Sequence, residues 1–434
     1  MSPVAIGILG IVVLLLLLAL GMPIGLGMIL IGFIGFTYLA NFSGAFHILA
    51  RVPYDAITNY DFCVIPLFFL MAAVFLVSGF GKSLFQLVYT WIGRVPGGLS
   101  VATVGACAIF AAASASTIAT ALTIGKVAIP EMRTYKYDNK LACGCVAAGG
   151  TLGILIPPSG VLIIYGIITE QSITKLFIGG IIPGIILALA FMILTVIWAR
   201  LNPALAPAGP STSLKAKLTA MAESVEMVLL LILIIAGLIV GWFTPTEAGA
   251  AGAFGAIVLS LIRRRLNFKK FKEAFLDTLY GAGMVFTILI GALIFNAFLA
   301  VSTIPMELAA WVTGLPLPPL MVMVLILLVY VVLGCFIDAF SMILLTIPIF
   351  FPVVRALGFD PIWFGIITVL VVEIALITPP VGMNVYVIWG IAGGVPMEVI
   401  FRGILPFLGA LVLLIMALVT FPQLVLFLPG LMAG

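Results

Sequence analysis

Charge is the scarcest thing in this sequence. Of its 434 residues only 8% are Asp, Glu, Lys or Arg, 64% are hydrophobic, and the mean hydropathy is +1.40. A water-soluble domain is excluded, because so much apolar side chain far exceeds what a core can bury. Histidine is down to His47 alone, so the paired histidines of an HExxH metal centre are missing; His47 itself is expected in an interfacial loop. The five cysteines (Cys63, Cys107, Cys143, Cys145, Cys335) are scattered in or beside apolar runs. Cys143-Gly-Cys145 is not a CxxC spacing, so they read as small buried side chains rather than redox or zinc groups. No GxxxxGK[ST] stretch is present, which removes the commonest nucleotide-binding signature. Short alternating segments with polar partners, the mark of an outer-membrane barrel, are also missing.

What is present is a succession of apolar runs near the roughly 20 residues that span a bilayer. The chain reads as an all-α polytopic membrane protein. Spans are expected at residues 3–20, 22–41, 62–80, 140–168, 176–199, 225–243, 246–262, 273–300, 361–389 and 397–425. The first run has no basic residues before it and a second run follows at once, so it is expected to be a retained helix rather than a cleaved signal. Two regions, 98–129 and 318–354, are apolar but too short for two full spans with a loop. Each has a polar tip at its middle, Ser114-Ala115-Ser116-Thr117 and Asp338-Ala339-Phe340-Ser341. Each is expected to be a re-entrant helical hairpin that enters, turns and leaves on one side.

Charge orients this arrangement. Arg263-Arg264-Arg265 and Lys269, Lys270 and Lys272 belong on the cytoplasmic side. Tracing outward from them places Lys82, Arg94, Arg133, Lys136, Lys140, Arg200, Lys215, Lys217 and Arg402 there as well. Arg51, Lys175 and Arg355 fall outside, and Lys126 lies in a hairpin arm. Both termini come out external. The basic loops read as orientation signals and contacts with membrane lipids, not as nucleic-acid sites.

A repeat is hidden in the chain. Residues 130–160, PEMRTYKYDNKLACGCVAAGGTLGILIPPSG, align without a gap on 352–382, PVVRALGFDPIWFGIITVLVVEIALITPPVG. Pro130, Arg133, Asp138, Pro157, Pro158 and Gly160 match Pro352, Arg355, Asp360, Pro379, Pro380 and Gly382. The charge-derived topology opens the first copy to the cytoplasm and the second to the outside, so the repeats are expected to be inverted. Inverted repeats with interrupted helices characterise secondary transporters. The Arg133/Asp138 and Arg355/Asp360 pairs are expected to fix hairpin geometry from loops.

The twin prolines define the expected site. Proline lacks an N–H and clashes with the carbonyl four residues back. Pro157 and Pro158 should free the carbonyls of Gly153 and Ile154; Pro379 and Pro380 should free those of Ala375 and Leu376. Backbone so exposed persists at membrane depth only where protein or a cavity surrounds it, and a cation is one group that satisfies it. Two Na⁺ sites follow as an expectation. One is built from Ser114, Ser116, Thr151, Gly153 and Ile154, the other from Asp338, Ser341, Ala375, Leu376 and Thr378. Helix N-termini at the tips favour an anion. An anionic substrate is therefore expected between them, against Ser116, Thr117, Pro157, Pro158, Ser159, Pro379, Pro380 and Asn384. Asp338 and Glu373 are ionisable groups at membrane depth, where such groups are usually functional; Glu373 reads equally well as a packing residue. Glu247 is expected to cap its helix.

GGTLGILIPPS, then YGIITEQSITKLFIGGIIPG, FTPTEAGAAG, and ITPPVGMN with FRGILPF, resemble the large membrane subunit of tripartite ATP-independent periplasmic (TRAP) transporters over nearly the whole chain. The resemblance implies an elevator-type, Na⁺-coupled importer of a carboxylate, a C4-dicarboxylate or a sialic-acid-like sugar acid. It implies a small four-helix membrane subunit as a separate polypeptide, a periplasmic solute-binding protein, and the bacterial inner membrane. It also implies a division of labour: scaffold at 1–80 and 200–272, a first transport repeat at 81–199, a second at 273–434. The family often has a Ser/Gly-rich first hairpin tip; here Ala111–Ala113 and Ala115 stand among the serines. Other readings are a stand-alone divalent-anion/Na⁺ symporter, a channel, or an intramembrane hydrolase. The channel lacks acidic rings or a carbonyl filter motif. The hydrolase lacks a second deep aspartate or a placed histidine, so no enzyme is expected.

Overall fold

The computed structural model describes residues 2–207 and 212–432, and among these all regular structure is helical. The chain opens with α1 (Pro3–Ala19), α2 (Ile24–Leu39), α3 (Phe42–Thr58), α4 (Val64–Val77) and α5 (Phe80–Ile92). The first hairpin follows, α6 (Gly98–Ser114) and α7 (Thr117–Thr134), then an interrupted helix, α8 (Asn139–Leu155) and α9 (Gly160–Ile168), and α10 (Ile173–Leu201). Next come α11 (Leu214–Val240), α12 (Pro245–Ile262), α13 (Phe268–Val301) and α14 (Ile304–Thr313). The second hairpin is α15 (Pro319–Gly334) with α16 (Ala339–Ala356), followed by α17 (Pro361–Ile377), α18 (Met383–Ile391), α19 (Met397–Thr420) and α20 (Gln423–Leu431). Hairpin, interrupted helix and long helix thus occur twice in the same order. Among the described residues, eight helical stretches are long and apolar enough to cross a membrane.

The aligned residues do the same local job in both copies. Asp138 and Asp360 cap α8 and α17, accepting from the N–H groups of Lys140 (2.7 Å) and of Ile362 and Trp363 (2.8 and 3.0 Å). Such caps satisfy donors that the first helical turn leaves without partners. Arg133 and Arg355 stand in the last turns of α7 and α16. The expected Arg–Asp pairs do not form: Arg133 instead donates to the carbonyls of Ala392 and Gly393 at the end of α18. Glu247 caps α12 as expected, in a reciprocal box with Thr244.

Several boundaries differ from the sequence expectation. The first hairpin runs on to Thr134, since Pro130 is carried inside α7 rather than ending it. His47 is an exposed residue of α3, not of a loop; α3 and α5 are amphipathic, and amphipathic helices escape a search for apolar runs. The last expected span stops at Thr420, ahead of Pro422.

The two interrupted helices occupy the centre. α8 and α17 are buried along nearly their whole lengths. By contrast α10, α11 and α19 carry exposed Ile193, Leu229, Ile232, Leu413 and Met416, the outward apolar surface a lipid-facing helix needs. The long α13 packs most extensively against α2 and α4 and also touches α16.

Candidate functional site

Each hairpin tip lies against the break of its own copy. At the first, Ser116 caps α7, its Oγ accepting from the Ala119 N–H (3.3 Å). Ala115 takes a left-handed conformation, φ 49°, to turn the chain between the arms. The Ser116 N–H turns to the Ser114 hydroxyl (3.4 Å). That hydroxyl lies 2.6 Å from Thr120 Oγ1, and Thr120 in turn donates to the Ser116 carbonyl at 2.9 Å. A methyl group on Gly153 would stand 2.5 Å from the Ser116 carbonyl oxygen, so only glycine lets α8 pass this close to the tip. At the second, Asp338 caps α16, accepting from the Ser341 N–H (3.1 Å) and from the Ser341 hydroxyl. Gly334 abuts Ala375, and Cys335 Sγ reaches the Pro379 carbonyl at 3.5 Å.

The left-handed backbone costs an L-residue about 1–2 kcal/mol. Glycine would remove that cost but lose about 0.5–1 kcal/mol through its freedom when unfolded. Ala115→Gly is therefore expected to raise the thermal unfolding midpoint slightly; a lowered midpoint would contradict the assignment of strain there.

The breaks are less bare than the twin prolines suggest. The Ile154 carbonyl accepts from the Ser159 hydroxyl, which also caps α9. The Ala375 carbonyl accepts from the Thr378 N–H at 3.3 Å, and the Thr378 hydroxyl bonds back to the Ile374 carbonyl. Thr151 bonds back to the Ala148 carbonyl at 2.6 Å. The expectation of four free carbonyls is corrected at Ile154 and Ala375: hydroxyl and amide donors inside the break reach carbonyls that proline cannot. The two breaks also differ in setting, Pro157 and Pro158 being buried and Pro379 and Pro380 exposed; both Pro-Pro bonds are cis.

The two tips meet across one cavity of about 220 Å³. Ser116 and Thr117 line it from the first hairpin, Asp338 from the second, and Ile154 and Leu376 from the two interrupted helices. Smaller and larger spaces adjoin it through shared walls, one with Ser114 and Asp277, the other with Thr287 and Phe336. Thr151, Gly153, Pro157, Pro158, Ser159, Ser341, Ala375, Thr378, Pro379, Pro380 and Asn384 are not among the residues lining the central cavity. Asn384 is fully buried and donates to the Ala147 carbonyl at 3.4 Å.

Two contributions escape sequence reading. The cavity is closed by Phe69 of α4 and by Gly281, Met284 and Val285 of α13, apolar residues with no local signal that separates them from lipid-facing ones. Glu373 is fully buried on α17, and its Oε1 accepts from the Thr117 hydroxyl at 3.1 Å. This bond joins the first hairpin tip to the second interrupted helix. Its signal was present, as an acid inside an apolar run, but its partner lies 256 residues away.

Paired hairpins, paired interrupted helices and a cavity between the tips are the architecture of a membrane permease of the secondary-transporter class. The solved structure of the Alcanivorax borkumensis YdaH transporter has a similar fold, with a TM-score of 0.63 over 87% of this chain and 88% of that one, at 16% identity. Residues 11–424 match the family model of the tripartite ATP-independent periplasmic transporter, DctM component. The chain belongs to that family, as a large permease subunit. It is 36% identical to the C4-dicarboxylate TRAP transporter large permease protein DctM of Pseudomonas aeruginosa, over 88% of this chain and 89% of that protein. It is 31% identical to the sialic acid TRAP transporter large permease protein SiaM of Vibrio cholerae, over 96% and 97%.

Proposed function

We propose that this permease imports an organic carboxylate across the bacterial inner membrane, coupled to Na⁺, by an elevator-type movement. The observation that carries the reading is the convergence of both hairpin tips on one cavity, each tip seated against the break of its own copy. Substrate would lie between the tips, touching Ser116, Thr117 and the apolar ends of the breaks. One Na⁺ would be held by the first tip with Ser114, Ser116 and the Gly153 carbonyl, and a second by Asp338 with the Leu376 carbonyl. These are oxygen ligands, as a hard cation requires. The relatives' names give a C4-dicarboxylate and a sialic acid; what those share, a carboxylate, is the class carried over to this chain.

Hairpins and interrupted helices would move together, with α1–α4, α11 and α12 as scaffold and the two copies related by inversion. Inversion gives two similar-energy arrangements with access exchanged. Each net positive charge moved inward gains about 2.3 kcal/mol per 100 mV, so two Na⁺ with a monoanion are driven by potential as well as gradient. As one component of a tripartite system, the chain would work with a small four-helix membrane subunit and a periplasmic solute-binding protein. A stand-alone symporter would transport without the binding protein.

The test is uptake into liposomes containing both membrane subunits, with the cognate binding protein outside. Replacing Na⁺ by K⁺ is expected to abolish uptake, and Asp338→Ala and Ser116→Ala to weaken its Na⁺ activation. Undiminished uptake in K⁺ ends the coupling proposal; unchanged Na⁺ activation in both variants removes these residues from the cation sites.

A further inference from the structure

We infer that a zwitterionic phospholipid with a primary amine, phosphatidylethanolamine, seats its head in the cleft between α5, α7 and α11. The cleft encloses about 510 Å³ and shares no lining residue with the cavity between the tips. Four charged side chains line it: Lys82 of α5, Glu131 of α7, and Lys215 and Glu223 of α11. The ion pairs among the described residues are Arg51–Asp55 and Arg263–Glu226, so none of the four is matched to an opposite charge. Glu131 and Glu223 are half-buried, Lys82 and Lys215 exposed. A carboxylate drawn partly out of water is costly until a partner meets it. The neighbouring cations are engaged elsewhere. Arg263 pairs with Glu226, Arg265 donates to the Ser83 hydroxyl (2.9 Å), and Lys217 Nζ lies 5.3 Å from the centre of the Trp91 ring.

The surroundings of the cleft point to a lipid. Trp91 is exposed near the end of α5, and an exposed indole beside a lysine marks the level where membrane meets water. Leu214, Leu218, Met221 and Val225 are exposed along α11, a stripe at helical spacing. It runs beside Lys215, Thr219 and Glu223 of the cleft wall. Acyl chains lie along the stripe while the head turns into the cleft. The walls then choose the head. Its phosphate meets Lys82 and Lys215, and its ammonium gives charge-assisted hydrogen bonds to Glu131 and Glu223. A choline head has no N–H to give them, and a glycerol head leaves both acids facing a net negative charge. Size agrees: at about 30 Å³ per water-sized group, a 510 Å³ space holds a phosphoethanolamine head and the glycerol behind it. The seated head ties α7 of the first hairpin to α11.

The experiment is native mass spectrometry of the full chain, released from micelles with equal amounts of phosphatidylethanolamine, phosphatidylcholine and phosphatidylglycerol of identical chains. Phosphatidylethanolamine is expected to be bound at least about fivefold over either of the others, the gain that two part-exposed ion pairs bring. Glu131→Gln combined with Glu223→Gln is expected to remove its advantage over phosphatidylcholine, and Glu223→Gln alone to reduce it. Glu273→Gln, at an exposed acid of α13 outside the cleft, is expected to leave it unchanged. Equal occupancy by the three lipids in the wild type overturns the inference, as does a preference for phosphatidylglycerol or an ethanolamine preference that the double variant keeps. Soluble glycerophosphoethanolamine, at the lipid's own concentration, is expected to displace little of it. Displacement as effective as by added lipid identifies a water-soluble ligand and overturns the lipid assignment.

Discussion

Gly153→Val is expected to reduce uptake by about 100-fold, the loss that a misplacement of about 1 Å at a reacting or binding centre brings, while the protein still inserts in the membrane. A side chain at this position begins 2.5 Å from the Ser116 carbonyl oxygen, 2.7 Å from its carbon and 2.8 Å from Thr120 Oγ1. Two of these atoms are backbone, so no rotamer change relieves the contact. The tip of the first hairpin has to move away from α8, taking with it Ser116 and Thr117 of the cavity wall. The bond from Thr117 to Glu373 goes with them. Gly409, on the exposed side of α19 with no atom within 4 Å of where a methyl group would stand, is the matching control. Gly409→Val should transport normally, and wild-type uptake by Gly153→Val would refute the close seating of tip on helix.

Glu373→Ala is expected to lower stability by about 2–5 kcal/mol, in the range seen for buried large-to-alanine changes. The substitution empties a fully enclosed position and takes the acceptor from the Thr117 hydroxyl; an orphaned buried donor alone costs about 1–3 kcal/mol. Glu373→Gln keeps the shape and the acceptor oxygen, and is expected to stay within about 1 kcal/mol of wild type, as near-isosteric buried changes do. The other carboxylate oxygen, Oε2, is buried with no hydrogen-bond partner, so the amide that replaces it breaks no existing bond. Thermal unfolding and uptake of both variants decide the matter. If glutamine damages the protein as much as alanine, the carboxylate itself is needed and a joint held by a neutral acceptor is the wrong description.

Both effects arise where residues distant in sequence touch, and that limits what could be read beforehand. The tips at Ser114–Thr117 and Asp338–Ser341 were legible because polar residues in the middle of an apolar hairpin stand out. The breaks at Pro157-Pro158 and Pro379-Pro380 were legible because proline acts on its own backbone. The bare carbonyls inferred from those prolines were only partly right. Whether a hydroxyl one turn away bends back, as Ser159 does to Ile154, depends on rotamers that the sequence leaves open. α3 and α5 were missed because one face of each is polar.

The sequence by itself determined that this is an all-helical membrane chain, where its helices break, and that hairpin and interrupted helix come in pairs. These are consequences of charge scarcity and of proline acting within a few residues. Only the tertiary structure decided which apolar side chains wall the cavity, that Thr117 meets Glu373, and that the tips converge. The reason is the solvent: lipid is as apolar as leucine, so hydropathy cannot tell a residue that faces the bilayer from one that faces Asp338.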